Sequence, residues 1–550
     1  MGLQTGVASI LALEKRIQFE ERTAELIQLK RSRNSLLNIA RIPPEILSYI
    51  FYLVVTPVQM FFTRFPVLKV GSYNFLLVCH HWSEVAYRTP GLWSFWGNTL
   101  GGWKRQYLRS GTSPIDVVLD GVEHRGTLDG ALQDALKDRA ARDTIRRTHL
   151  CGSSRSFSTT IMCLLTPEGE GVRRSSIESI SVNDVDLSNF FARHHFPKLR
   201  DLDLWGYFRI SSWDCLGSRP MALVNLSLRA DGIGSWPKPS PTASQILSLL
   251  SLNPNIRNLA LDSLKITDDG RDISTFRVPL LHLERLFLRG GYRRIFPILR
   301  QLELPKKLDD AEVTFKGCTL KEVREVIGPY IQDYIHRDVR FKDRLGLSLY
   351  SSSDTDRILL GANVTATGCH DLDQPPQRNL PHAEFTAILS EDPPEDAREE
   401  LCIEILTRLP QETVIYFETD FSYPEGVLAA MPNIEILHLS HAVLLDGFLM
   451  PELDGPNAHK KYLPSLQWLY LEDPEVGDEG WEPLIVYLAH QTSNNQAVSL
   501  TVCGAATHIC PGLVEQIDEA VERFVYQPDQ YQMCPFDRCL IENLDADRLD

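Results

Sequence analysis

The residues best suited to chemistry in this sequence fall between Phe75 and Trp96, FLLVCHHWSEVAYRTPGLWSFW, where one cysteine, two adjacent histidines and three tryptophans lie together. Cys79, His80 and His81 are residue types that hold transition metals. Their spacing argues against it. Consecutive helical residues project about 100° apart, so three in a row cannot converge on one ion. No second ligand pair follows at zinc-like spacing. Phe75, Val78, Cys79, Trp82 and Ala86 instead form one apolar helical stripe. On that reading Val78 and Cys79 are small core residues, and the histidines are solvated or face a partner.

Other candidates are weaker. Cys534 and Cys539 in CPFDRC lack a second pair, and His194-His195 read as a surface turn before a strand. Asp201 and Asp203 alternate with Leu202 and Leu204, which puts the acids on the outward face of a strand, either solvated or against a ligand. No Walker A, H-E-x-x-H or G-x-S-x-G sequence is present. The expectation is a non-catalytic protein with no metal and no cofactor.

The chain has 550 residues, 43% of them hydrophobic, with 72 acidic against 56 basic side chains and a net charge of −16. That length calls for several domains or one elongated one. The acidic balance disfavours nucleic acid as a ligand. Eleven scattered cysteines suit a reducing compartment, and MGLQTGVASI lacks the charges and apolar run of a secretory leader. No apolar run is long enough to span a membrane, and the expected compartment is the cytoplasm or nucleus.

Residues 8–39 contain neither Pro nor Gly and read as one helix, with Ile10, Leu13, Ile17, Ala24 and Ile27 at three-four spacing. That fits a short coiled coil or a stripe laid on the next domain. At RIPPEILSYIFYLVV the character changes. Pro43-Pro44-Glu45 marks a helix start, and the helix that follows is apolar on every side, as befits one deeply buried or covered by another protein. Residues 42–96 hold more apolar surface than so small a unit can bury alone, which points to an interface.

In order, Ile42-Pro43-Pro44-Glu45-Ile46-Leu47, Ile50-Phe51, Leu77-Val78-Cys79-x-x-Trp82 and Pro90-x-Leu92-Trp93 resemble the F-box. The variant is most similar to that of F-box proteins of mushroom-forming fungi, the upstream helix included. It departs in having Ile42 where Leu is frequent and extra residues around Val58–Val70. The resemblance implies a small all-helical module over residues 40–97 that docks on a Skp-type adaptor, and through it on cullin and RING subunits. By position, the implied adaptor contacts are Ile42, Pro43, Ile46, Leu47, Ile50, Leu77, Trp82 and Trp93. Some of these could equally be the module's own core, although Pro43 and Leu47 read as contacts.

After a connector at 98–140, a second pattern occupies 141–525, ahead of a tail at 526–550. Pro-x-[Leu/Ile]-x-x-Leu-x-Leu occurs as FPKLRDLDL (196–204), NPNIRNLAL (253–261), MPNIEILHL (431–439) and LPSLQWLYL (463–471). Composition alone would supply about half a match. Leu223-Leu226-Leu228, Leu283-Leu286-Leu288 and Leu299-Leu302-Leu304 read as fainter copies, with helical patterns such as SPTASQILSLLSL and EVREVIGPYIQDYI between them. Short strands alternating with helices in this code are similar to leucine-rich repeats, giving an α/β solenoid with an irregular insertion near 350–400. PGLVEQIDEAVERFVYQ reads as a closing helix.

The expected function is substrate recognition in a Skp-cullin-F-box ubiquitin ligase. The alternative is an F-box and repeat scaffold working outside a ligase. Arg200, Asp201, Arg257, Glu435 and Gln467, beside the repeat strands, are the expected contacts for a protein substrate.

Overall fold

Pro44 opens the helix Pro44–Val55 of the computed structural model, where its missing N–H costs nothing and Glu45 meets the helix dipole. The structure describes residues 42–55, 74–97, 108–120, 139–151, 176–187, 190–230, 239–306, 308–337, 345–352, 357–364, 382–389, 414–419, 431–440, 463–472, 481–493, 498–503 and 511–527, with shorter pieces within 15–31 and 400–409. The described residues within 15–31 are helical and exposed. Ile10, Leu13, Ile17 and Ala24 of the expected stripe, and CPFDRC, lie outside the described residues. The chain divides into two units, Met1–Pro239 and Ser240–Asp550. No helix among the described residues is long and apolar enough to cross a membrane.

In the first unit, helix α1 (Pro44–Val55) is followed by a 3-10 turn at Asn74–Leu77, helix α2 (His80–Tyr87), a second 3-10 turn at Pro90–Trp93 and strand β1 (Phe95–Gly97). The single helical stripe expected from Phe75 to Ala86 is therefore broken. Cys79 caps α2 with extended backbone, φ −162° and ψ 167°, and this reorients everything before it. Leu47, Phe51, Phe75, Val85, Ala86, Leu92, Trp93 and Phe95 close one core. Phe51 stacks on Phe75 with centroids 4.3 Å apart and meets Trp82 at 5.2 Å. The Trp93 indole donates to the Ala86 carbonyl at 3.0 Å, satisfying its one buried donor. Each such apolar side chain contributes about 1.5–3 kcal/mol on burial.

The module is not all-helical, because β1 starts a sheet. It pairs in parallel with β2 (Ile115–Asp120), and β3 (Ile145–Cys151), β4 (Ser179–Asp186), β5 (Asp201–Arg209) and β6 (Asn225–Arg229) follow in chain order, all parallel. Ile180, Leu202 and Leu226 stand side by side in register, as do Leu150, Val182, Leu204 and Leu228. All seven are buried. Between β4 and β5 the ladder slips at a bulge, where Asp184 (φ 47°) accepts the Tyr207 N–H at 2.7 Å. Gly206, at φ 70°, faces that carboxylate so closely that a Cβ would lie 2.7 Å from Oδ1, so only glycine fits.

In the second unit, α3 (Ala243–Ser251) opens with the capping box that its sequence announces: Thr242 accepts from Gln245 N–H, and the Gln245 side chain accepts from Thr242 N–H. Its sheet runs β7 (Asn258–Asp262), β9 (Arg285–Gly291), β11 (Asp310–Cys318), β14 (His382–Leu389), β13 (Arg357–Val364), β12 (Leu345–Ser352), β15 (Val414–Thr419), β16 (Ile436–Ser440), β17 (Trp468–Glu472), β18 (Ser499–Cys503) and β19 (Arg523–Gln527). Only β13 runs antiparallel to its neighbours. The segment expected as an irregular insertion thus supplies strands that carry the sheet onward. Val278–Pro279 (β8) and Leu302–Glu303 (β10) form a separate pair. The Leu299-Leu302-Leu304 copy is consequently no rung of the main sheet: Leu299 lies in helix α4 (Tyr292–Gln301). PGLVEQIDEAVERFVYQ ends in a strand rather than a helix, since α5 (Pro511–Ala520) passes into β19.

The prolines of the four clear repeats have one physical role. In each, the N–H two residues after the proline donates to the carbonyl of the residue before it: Leu199 to Phe196, Ile256 to Asn253, Ile434 to Met431 and Leu466 to Leu463, at 3.1–3.4 Å. Proline's fixed φ suits the second position of such a turn. The turn drops Leu199, Ile256, Ile434 and Leu466 into the interior and launches the strand.

A candidate docking surface and a polar sheet face

Helix α1 divides its apolar residues between two destinations. Leu47 (1% exposed) and Phe51 fill the module core. Ile46, Tyr49, Ile50, Leu53 and Val54, at i, i+3, i+4, i+7 and i+8, lie open to water, Ile46 at 53%. Leu77 (85% exposed), Val78 and Tyr87 are also open. Beside them, His81 Nε2 and Trp82 Nε1 are shut from water without a hydrogen-bond partner.

The eight implied adaptor contacts therefore separate. Pro43, Ile46, Ile50 and Leu77 are exposed, while Ile42 and Trp82 are half-buried and rest on the core. Leu47 and Trp93 are interior. Leu47, expected at the surface, faces inward because α1 meets α2 and the Pro90–Trp93 turn along the Leu47–Phe51 line. Val78, expected in the core, faces outward because the Cys79 break ends the stripe to which it would belong.

The sheet of the first unit carries a second feature on the face opposite its leucines. There Arg147, Ser179, Asp201 and Asn225 form one row in register, and His149, Ser181, Asp203 and Ser227 form the next. Asn183, Trp205 and Arg229 form a third. Asn225 Nδ2 donates to Asp201 Oδ1 at 2.5 Å, Ser181 Oγ to Asp203 Oδ2 at 3.0 Å, and Arg229 Nε to Ser227 Oγ at 2.9 Å. Burial raises the Asp201 pKa, opposed by the Asn225 hydrogen bond and the nearby Arg147 and Arg200 charges. Burial also pulls the His149 pKa down to about 4.

Asp203 and His438 point away from the core, as their alternation with leucine requires, yet both are buried rather than solvated. His194, expected in a surface turn, is likewise buried, with its ring against Phe190 and Phe196.

The five expected substrate contacts are divided between the two units. Arg200 and Asp201 belong to the first unit, and Arg257, Glu435 and Gln467 to the second. Four of them share a backbone role. The carbonyls of Arg200, Arg257 and Glu435 each accept two N–H groups from the start of the next rung, and that of Gln467 accepts Ser499 N–H. Arg200, Arg257 and Gln467 are exposed, and Arg257 pairs with Glu284 at 3.2 Å. The sequence reading missed His149, Ser181 and Asn183. Their signal was a polar residue next to an apolar one, in His149-Leu150, Ile180-Ser181-Val182 and Val182-Asn183, in rungs lacking the proline code.

Among the described residues, no group of three or more His, Cys, Asp or Glu side chains is placed to hold a metal. A scan of the chain against protein-family models finds no match, and no curated protein matches it significantly.

Proposed function

We propose that this protein is the substrate-recognition subunit of a Skp-cullin-F-box ubiquitin ligase. Its α1–β1 module is the F-box, and its sheets are the rungs of a leucine-rich-repeat-like solenoid. The observation that carries the reading is the five-residue apolar stripe Ile46–Val54 on a module that has already closed its own core. Such a stripe stays in water only at a cost of roughly 25 cal/mol per Å², which a partner surface recovers. Motif order at Ile42–Leu47, Leu77–Trp82 and Pro90–Trp93 supports a Skp-type adaptor as that partner. Parallel rungs with leucines in register, four of them launched by the same proline turn, support the repeat reading. In this role the chain performs no bond chemistry. It holds a protein substrate while cullin and RING subunits reach the module through the adaptor, raising the concentration of substrate lysines near charged ubiquitin.

Co-purification of the tagged chain with adaptor and cullin tests the reading. The wild type is expected to bring both, and Ile46→Asp with Leu53→Asp to bring neither, because each puts a charge into a dry interface. Adaptor without cullin would favour the scaffold alternative. Absence of both from the wild type would remove the ligase reading altogether.

A further inference from the structure

Three side chains on the polar face of the first unit end in atoms that are sealed from water and have no hydrogen-bond partner. They are both ring nitrogens of His149, Oδ1 of Asn183 and Oδ1 of Asp203. The side chains are 4%, 6% and 9% exposed. His149 and Asp203 flank Ser181 in one row, and Asn183 stands two residues beyond Ser181 on the same strand. Strand spacing of about 4.8 Å and a two-residue step of about 7 Å put these groups around one small serine. Ser181 donates to the other Asp203 oxygen, which leaves Oδ1 free. No Lys or Arg among the described residues forms an ion pair with Asp203.

Native proteins rarely bury acceptors without donors, and each such group calls for an explanation. What is missing here is specific. Asp203 Oδ1 and Asn183 Oδ1 only accept, and of the two ring nitrogens of a neutral His149 one accepts and one donates, so three of the four atoms lack a donor. An anion is excluded by the Asp203 charge. A water could meet two of the acceptors but would leave that charge unbalanced. A compact ammonium would serve one point. A planar guanidinium carries five N–H donors in a fork and can reach acceptors spread over neighbouring strands. Trp205, in register with Asn183, supplies an aromatic face of the kind on which guanidinium stacks.

We infer that this face, centred on Ser181 between His149, Asn183 and Asp203, receives an arginine side chain of the substrate protein. This deepens the ligase reading and rests on it for the word substrate. The guanidinium displaces no hydrogen bond that the three groups now make with those atoms.

The test uses the full chain, immobilised and challenged with a display library of random dodecapeptides. Selected peptides are expected to share an arginine. Replacing it in one synthetic peptide by citrulline, its neutral isostere, should weaken binding by about thirtyfold or more. Asp203→Asn, which keeps the shape and the Ser181 contact, should lose the arginine preference while its melting temperature holds or rises. Adaptor co-purification should be unchanged in this variant. Selected peptides without arginine, or citrulline binding as tightly as arginine, would overturn the proposal and leave a buried water as the occupant. If wild-type chain selects arginine peptides yet captures no adaptor, the site stands and only the ligase assignment falls.

Discussion

Helix α1 and the sheet β3–β5 break the same rule in opposite directions. The helix holds Ile46, Tyr49, Ile50, Leu53 and Val54 in water, where apolar groups are costly. The sheet holds His149, Asn183 and Asp203 away from water, where unpaired polar groups are costly. The leucine rungs inside and Arg200, Arg257 and Gln467 outside obey the rule. Departures that local packing could have avoided tend to fall where something else is meant to bind. The two places also differ in kind. An apolar stripe accepts a broad surface through shape and area, whereas a few orphaned acceptors demand donors at fixed positions.

The sharpest way to break this comparison is to put the same charge on the two sides of α1. Leu47→Asp should unfold the module, costing about 4 kcal/mol or more, because the carboxylate enters a closed core. Ile46→Asp, one residue away, should leave folding within about 0.5 kcal/mol of wild type. Thermal melts of the two variants decide it. Equal effects would mean that the stripe is not free.

Next in size is the interior of the second unit, which follows the rule that both regions break. Leu469→Ala in β17 should cost about 2–5 kcal/mol, since its side chain is fully buried between Leu437 and Leu500. Denaturant unfolding measures this, and a loss under 0.5 kcal/mol would remove Leu469 from the core.

The smallest effect sharpens the polar side of the comparison. His149 has a folded pKa of about 4, below its ordinary 6.5, because burial disfavours the charged ring. Its contribution is therefore complete above pH 6.5 and is lost as pH falls towards 4, by about 3 kcal/mol at most. His149→Gln should flatten that limb of the stability profile relative to wild type. An unchanged limb would mean that the ring is wet.

Much of this was legible in the chain itself. Pro43-Pro44-Glu45 starts a helix, and Thr242 with Gln245 caps one, because these signals act through neighbours within four residues. Leu202, Leu259, Leu437 and Leu469 are buried in strands, as the proline code required, because a turn and a two-residue period also work locally. Tertiary structure decided the rest. It chose Leu47 over Ile46 for the core, broke the helix at Cys79, and put a π-helical turn at Val323–Ile327 inside the run that EVREVIGPYIQDYI suggested. It also set His149, Ser181 and Asp203, 32 and 22 residues apart in sequence, into one row. Which residues stand side by side across parallel strands depends on the register of segments joined by long connections, and no local spacing encodes that register.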